Sequence, residues 1–448
     1  MSIKSAVATL TGKSSYWFLH NVLKGGSSFP GKIAEKIDPA VLKHLAAGYE
    51  VIIVTGTNGK TLTTSLIVKV LSQQYNNILT NPTGSNMTQG IVTAFLAHSA
   101  RGKAKKLAIL EVDEANVAPI CRYIKPKAFV LTNIFRDQMD RYGEIYTTYQ
   151  KILDGIKLAP EATVIMNGDA PIFASQDIPN PKIYYGFQTT PGTQDLRARV
   201  NTDGVLCPRC NHILHYHELT YANLGDYFCP NCGFHRPKLD QIITKVNDMT
   251  PTSSTFTIAD QPITINIGGM YNIYNALAAY TVGHFYELAP ATIRQGFAYD
   301  EKVFGRQEVI TMGSKKITLI LVKNPVGLNQ VLDLLKTEKN DFSLGVLLNA
   351  NYADGIDTSW IWDGDFEGLP KDKIKAYLAG GERSDDIDFR LKVANVPEPK
   401  LVHVQGMAPV LGELKKMPTQ QIYVLATYTA MLQLRKNMAN EKLIKTGF

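Results

Sequence analysis

Val51-Ile52-Ile53-Val54-Thr55-Gly56-Thr57-Asn58-Gly59-Lys60-Thr61 decides the fold of this 448-residue chain. The apolar run at 51–54 reads as a buried strand, and Leu62 to Leu71 reads as a helix. The glycine turn between them lets backbone N–H groups point outward at the helix start, where the helix dipole favours an anion. Lys60 can reach terminal phosphates, and the Thr61 hydroxyl is placed to ligate Mg²⁺. The longer G-x-x-x-x-G-K-[ST] pattern would need a glycine where Val54 stands, so the loop has the compact G-T-N-G-K-T form. Strand on one side and helix on the other point to an ATP-type site.

Outward from the loop, composition bounds the rest. The length predicts two or three domains. A hydrophobic fraction of 45% and a charged fraction of 19% describe an ordinary globular protein. No apolar stretch is long enough to span a bilayer, and Met1 to Ser15 lacks the apolar core of a signal peptide, so a cytoplasmic setting is expected. The formal charge of +7 is compatible with anionic substrates or an anionic membrane surface, and equally with plain solubility.

Four of the five cysteines form two pairs, Cys207-Pro208-Arg209-Cys210 and Cys229-Pro230-Asn231-Cys232. Two C-x-x-C knuckles supply enough thiolates to close a tetrahedral zinc shell, and a cytosolic setting disfavours disulfides. A structural zinc ribbon is predicted over roughly 200–237. Cys121 lacks a glycine elbow and reads as an unreactive, partly buried thiol.

Residues 1–48 read as an N-terminal helical segment. From Tyr49, strands at Leu107–Val112, Ala128–Thr132 and Thr163–Met166 alternate with helix-length stretches, the pattern of a mainly parallel sheet. Strand patterns at Ser254–Ile258 and Ile263–Ile267 precede a helix through Asn275 to Ala279. A break near Phe304-Gly305 begins a second alternating unit without a phosphate loop, with strands at Ile317–Val322, Leu344–Leu348, Ile374–Leu378 and Ile422–Leu425. The expected division is 49–303 for an ATPase domain with the ribbon inserted, and 304–448 for a Rossmann-like α/β domain.

Glu111-Val112-Asp113-Glu114 lies at a strand end, where an acid can meet a metal held by the phosphate loop. Leu131-Thr132-Asn133 is another strand end, followed by a polar run from Arg136 to Gly143. Together these residues resemble the Mur ligases and their relative folylpolyglutamate synthase. G-T-N-G-K-T at 56–61, Glu111, T-N-I with D-x-x-D-x-x-G at 132–143, Asn167-Gly168-Asp169, Gly269 to Ala276 and Gly305-Arg306 all fall in that family's order. The resemblance implies activation of a carboxylate as an acyl phosphate by ATP, then attack by an amine. It assigns ATP binding to Gly56, Thr57, Asn58, Gly59, Lys60 and Thr61, with Thr61 and Glu111 on Mg²⁺. Asn272 and Asn275 would take the adenine side, and Arg306 would reach the nucleotide from the hinge.

The chain departs from the family at Gln138, where relatives carry a metal-binding histidine, and at Val322-Lys323-Asn324-Pro325, which keeps only Asn-Pro of D-x-A-H-N-P. Too few residues precede Gly56 for a UDP-binding domain. These departures, the four-cysteine ribbon and Ala353-Asp354-Gly355-Ile356-Asp357-Thr358-Ser359-Trp360-Ile361-Trp362-Asp363 resemble the MurT branch, the synthetase subunits of lipid II isoglutaminyl synthase. That resemblance implies amidation of D-glutamate in the lipid II stem peptide at the inner face of the membrane. Ammonia would come from a GatD-type glutaminase docked on the C-terminal domain. Independently, four cysteines committed to zinc and an inert Cys121 leave no nucleophile for glutamine hydrolysis. The 354–365 segment, four aspartates around two tryptophans, reads either as a capped loop or as an interface. By resemblance Asp357, ahead of Asp354, would orient a catalytic histidine on the partner.

Two other functions compete. A folylpolyglutamate-synthase-like ligase is opposed by the ribbon and the lost D-x-A-H segment. A zinc-ribbon nucleic-acid-binding ATPase is opposed by Asn211–Phe228, which contains no lysine or arginine for phosphate contacts.

Overall fold

The computed structural model describes residues 2–23, 28–81, 84–98, 105–136, 145–189, 195–198, 202, 204–298 and 307–444. Helices α1 (Ile3–Phe18), α2 (Phe29–Ile37) and α3 (Val41–Leu45) open the chain. Then come β1 (Tyr49–Thr55), α4 (Lys60–Leu71), β2 (Leu79–Thr80), α5 (Thr88–Ala97), β3 (Lys106–Glu111), α6 (Val117–Cys121) and β4 (Ala128–Leu131). After α7 (Ile145–Ile156), β5 (Thr163–Asn167) and β6 (Lys182–Phe187), the hairpin β7 (His215–Tyr221) and β8 (Leu224–Phe228) interrupts the alternation. The chain returns through β9 (Gln241–Thr250), β10 (Ser253–Ile258), β11 (Gln261–Ile265), α8 (Met270–Phe285) and α9 (Pro290–Phe297).

The first sheet has nine strands in the order β11-β10-β9-β6-β5-β4-β1-β3-β2. Pairing is parallel from β2 to β9, while β9, β10 and β11 form an antiparallel meander, so the sheet is mixed rather than parallel throughout. β1 sits between β3 and β4, its apolar run buried on both faces, as a central parallel strand requires. Neighbours on its two sides are reached by separate crossovers, so the crevice for ligands opens beyond its C-terminal end, where Gly56 follows.

A second sheet is built from β12 (Glu308–Met312), β13 (Lys315–Leu321), β14 (Phe342–Leu347), β15 (Ile374–Gly380), β16 (Leu401–His403) and β17 (Gln421–Ala426). The order is β12-β13-β17-β14-β15-β16, parallel except for β12. Helices α10 (Pro325–Leu335), α11 (Ser384–Val393), α12 (Val410–Lys416) and α13 (Tyr428–Asn440) cover it. Apolar side chains bury both faces, Phe342, Tyr377 and Tyr423 in one cluster and Leu319, Leu378 and Val424 in the other. The break at Phe304-Gly305, Arg306, and the D-x-x-D-x-x-G run with Gln138 lie outside the described residues.

Candidate active site at the phosphate loop

The loop is held open by its glycines and braced by the neighbouring strand end. Gly56 has φ +127° and Gly59 +84°, backbone that side chains rarely adopt. A Cβ on Gly56 would fall 2.4 Å from the Thr132 hydroxyl, and one on Gly59 would fall 2.1 Å from the Asn275 amide oxygen. The T-N-I segment does the bracing. The Thr57 N–H donates to the Asn133 carbonyl (2.8 Å), the Asn58 N–H to the Asn133 side chain (2.9 Å), and the Thr132 hydroxyl to the Asn58 carbonyl (2.8 Å).

Lys60 is buried and its ammonium donates to the carbonyls of Gly56 (2.5 Å) and Thr57 (3.3 Å). It also forms a buried ion pair with Glu114 at 3.0 Å. Burial works against the lysine charge, yet Glu114, Asp113 and Glu111 outweigh it and hold Lys60 above the ordinary lysine value. Asp113 caps the short turn that aims Glu114 inward, accepting from the Ala115 N–H at 3.1 Å.

Glu111 ends β3 with its backbone clamped by Asn81, whose side chain accepts from the Glu111 N–H and donates to the Glu111 and Ser85 carbonyls, all at 2.9 Å. The Asn86 amide reaches the Glu111 carboxylate at 3.4 Å. On the same loop the Ser85 hydroxyl is buried and, among the described residues, has no hydrogen-bond partner. An orphaned buried hydroxyl on a segment that Asn81 ties to the Glu111 strand end suits a hard cation with oxygen ligands. The residues present therefore fit a bound Mg²⁺.

Asn272 and Asn275 form a buried pair under the loop. The Asn272 amide donates to the Gly268 carbonyl (2.7 Å), and Asn275 accepts from the Thr63 hydroxyl (3.2 Å). A cleft of about 580 Å³ opens beside them, lined by Asn58, Gly59, Tyr221, Tyr271, Lys323 and Gln330 among others. One wall is the loop, and the other is the C-terminal end of β13 with α10. Asn324 joins the walls: its side chain caps the Gly327 N–H (2.8 Å) and donates to Asn58 (3.0 Å). Asn167 accepts from the Asp169 N–H (3.0 Å), and buried Asp169 ties this core to the hairpin side through Arg236 at 2.8 Å.

In the cysteine cluster, all four sulfurs of Cys207, Cys210, Cys229 and Cys232 lie within 4.8 Å of one another. Cys207 and Cys232 are 3.6 Å apart and Cys210 and Cys229 3.5 Å. These spacings are too long for a disulfide bond and match the tetrahedral edge of about 3.8 Å set by zinc–sulfur bonds of about 2.3 Å. The donor set fits zinc. Cys121 is fully buried, and burial pushes its thiol up to about 12, so it is no ready nucleophile.

The 352–367 segment separates the candidate aspartates. Asp354 is buried and spent on structure, accepting from the Thr429 N–H (2.7 Å) and the Asn351 N–H (3.1 Å). Asp363 pairs with Arg136, and Asp365 pairs with Lys336 at 3.0 Å. Asp357 is exposed and accepts from the Ser359 N–H and hydroxyl, bonds that hold it below the usual carboxylate range. Of the two tryptophans, Trp360 packs on the core and Trp362 is half-exposed against Phe389 and Arg390.

Residues 54–232 match the Mur ligase middle domain, and residues 321–431 match the MurT ligase C-terminal domain. The chain is 48% identical over 445 residues to the lipid II isoglutaminyl synthase (glutamine-hydrolyzing) subunit MurT of Streptococcus pneumoniae (strain ATCC BAA-255 / R6), covering 99% of each chain. It is 36% identical over 386 residues to the MurT subunit of Staphylococcus aureus (strain N315), covering 85% of each. Among solved structures, a pseudomurein peptide ligase type C from Methanothermus fervidus superposes with a TM-score of 0.64 at 19% identity, over 90% of this chain and 80% of that one. The fold is that of a Mur ligase, α/β with mixed sheets.

Proposed function

This chain belongs to the MurT subunits of the Mur ligase family, and from that premise we propose that it amidates the α-carboxylate of D-glutamate in the lipid II stem peptide, giving D-isoglutamine. It is an ATP-dependent carbon–nitrogen ligase that draws ammonia from a separate GatD-type glutaminase. Near-full-length relatedness to the named synthase subunits carries the proposal. We assign the ATPase domain to 49–303 with a zinc ribbon at 200–237, and the glutaminase-docking domain to 304–448.

The N–H groups of Gly59, Lys60 and Thr61 at the start of α4 cradle the nucleotide phosphates, while those of Thr57 and Asn58 are taken by Asn133 and hold the loop open. Lys60, held among three acids when the site is empty, turns its ammonium to the terminal phosphate. The substrate carboxylate attacks that phosphorus as its bond to the bridging β-phosphate oxygen breaks, giving an acyl phosphate and ADP. Neutral ammonia then adds at the carbonyl carbon, expels phosphate and loses a proton to give the amide. Thr61, Glu111 and Ser85 would hold Mg²⁺, which supplies charge neutralisation at the phosphates when bound. Catalysis of this kind is positioning and electrostatics, and a loop braced by Asn133 and Asn275 needs little reorganisation.

Cys207, Cys210, Cys229 and Cys232 hold zinc structurally, since protein fills all four positions. The exposed Asp357 completes the partner's catalytic histidine, a role that buried Asp354 is poorly placed to take. The reaction takes place at the cytoplasmic face of the membrane. The test is reconstitution with a GatD-type glutaminase, ATP, Mg²⁺, glutamine and lipid II, with the product read by mass spectrometry. Conversion of the D-glutamate carboxylic acid to the amide is expected. Amino-acid addition without amidation would overturn the proposal in favour of a peptide-type ligase.

A further inference from the structure

Helix α1 is built the opposite way round from an ordinary surface helix. Its buried residues are the small Ser5, Ala8 and Gly12. A Cβ on Gly12 would sit 2.7 Å from a Leu96 methyl, so the backbone lies close on α5. The large apolar side chains face outward: Ile3 is 87% exposed, Leu10 70% and Trp17 63%, with Val7 and Phe18 beside them. At about 100° per residue these five form a stripe about 100° wide, with Lys4 and Lys13 on its two flanks. Folding normally buries such residues, at about 25 cal/mol per Å² of apolar surface.

Charge narrows what covers this stripe. No aspartate or glutamate occurs before Glu35, while lysines stand at 4, 13, 24 and 32. The patch continues onto exposed Phe29 at the start of α2. α2 in turn lies on the N-terminal half of α5, where a Cβ on Gly31 would fall 1.9 Å from the Gln89 carbonyl. Met87, just before α5, is half-exposed, and its neighbour Asn86 reaches Glu111. Exposed apolar side chains therefore stand on each of the packed elements, α1, α2 and the start of α5, that lead to the Glu111 end of the candidate active site.

We propose that the outer face of α1, with Phe29, docks on an anionic lipid bilayer. The stripe enters the headgroup–acyl boundary while Lys4 and Lys13 extend to lipid phosphates. The inference rests on the lipid-linked-substrate reading, and it gives that reading a surface: α1 would hold the enzyme beside the membrane where its substrate is anchored.

The experiment uses the full chain with its glutaminase and vesicles that contain no lipid II, so binding is read apart from catalysis. Flotation with phosphatidylglycerol–phosphatidylcholine vesicles is expected, weakening with salt and absent with phosphatidylcholine alone. The double variant Leu10→Ser/Trp17→Ser should lose at least ten-fold in partitioning, and Lys4→Glu/Lys13→Glu several-fold. Both should keep wild-type circular dichroism, because the altered side chains are exposed. Both should also amidate detergent-dispersed lipid II at the wild-type rate. Wild-type protein that stays unbound, or stripe variants that float as well as wild type, would overturn the inference while leaving the amidation reading intact. So would a vesicle-independent dimer, or loss of the glutaminase, caused by the stripe variant, since the face would then belong to a protein partner.

Discussion

The phosphate loop and the 352–367 segment both put acidic residues on loops of an open α/β sheet, yet they treat them oppositely. Around the loop, Glu111, Asp113, Glu114 and Lys60 are all buried and wired to one another or to backbone. In the C-terminal segment Asp354 and Asp363 are spent on structure, and Asp357 is left exposed on a self-capped turn. Burial concentrates charge where a phosphoryl group must be handled, because electrostatic interactions strengthen as water is excluded. Exposure suits a group whose counterpart arrives on another protein. On the proposed function, one region carries its chemistry complete and the other presents half of a site.

The largest expected effect tests the buried half. Lys60→Ala should lower amidation by roughly 10³-fold or more, because it removes a cation from the transferring phosphoryl group. Glutaminase binding should be unchanged, since the loop and Asp357 lie on different sheets. A kinetic assay with gel filtration of the complex checks both. Glu114→Ala asks whether the acid cradle is structural as well: breaking a buried pair should cost about 3 kcal/mol of stability, read by denaturant unfolding. Near-wild-type amidation in Lys60→Ala would erase the contrast between the two regions.

Next in size is the exposed half. Asp357→Asn keeps shape and removes charge, so glutamine-dependent amidation should fall on the order of 10²-fold while the complex still forms. Ammonium at high concentration should restore product, because the ATP half of the reaction is untouched. Asp354→Asn should instead act through stability, costing about 1–3 kcal/mol by weakening buried bonds to Thr429. A loss in Asp357→Asn that ammonium leaves unrescued would place that carboxylate in ligase chemistry or folding.

How much of this was legible in the sequence follows the same division. Central strands announced themselves as apolar runs because parallel strands are buried on both faces. β2 and β16 escaped notice at two and three residues, and β9 did so because much of Gln241–Thr250 is exposed and polar. The strand-end acids were visible as Glu111-Val112-Asp113-Glu114, but nothing in that string says which one meets Lys60. The turn capped by Asp113 decides it, and that is a matter of backbone direction. Asn133 stands out in the T-N-I strand end, but its bracing of a loop 75 residues away does not, and Ser85 and Asn86 carry no signal of their own, since Asn86 meets Glu111 25 residues on. The four cysteines, by contrast, could be read from spacing alone, because two tight knuckles leave few alternatives.

The cysteine cluster provides a middle-sized effect, on stability more than rate. Elemental analysis should give about one zinc per chain. Cys229→Ser should lower the melting temperature and yield of soluble protein while changing the KM for ATP little. Arg236 carries the strain to the core if the cluster loosens, because it bridges Asp169 and Asp226. A metal-free protein with unchanged melting and activity would show that the cysteines hold the hairpin without zinc.

The smallest expected effect lies where the phosphate loop meets the start of α10. Asn324 does two things at once: its oxygen caps α10 through the Gly327 N–H, and its amide donates to Asn58 in the loop. Asn324→Ala removes both, so a cap loss of about 1 kcal/mol would be mixed with the lost contact. Asn324→Asp keeps the capping oxygen and removes the donor, leaving a carboxylate opposite the phosphate cradle. Its stability should stay near wild type, while the KM for ATP rises several-fold with kcat little changed. Asn58→Ala alone should weaken ATP binding to a similar extent, and the double variant should fall short of the sum by about 1 kcal/mol if the two amides act as one latch. Strict additivity would mean that the loop and the second sheet are coupled elsewhere, across the cleft lined by Tyr271 and Lys323.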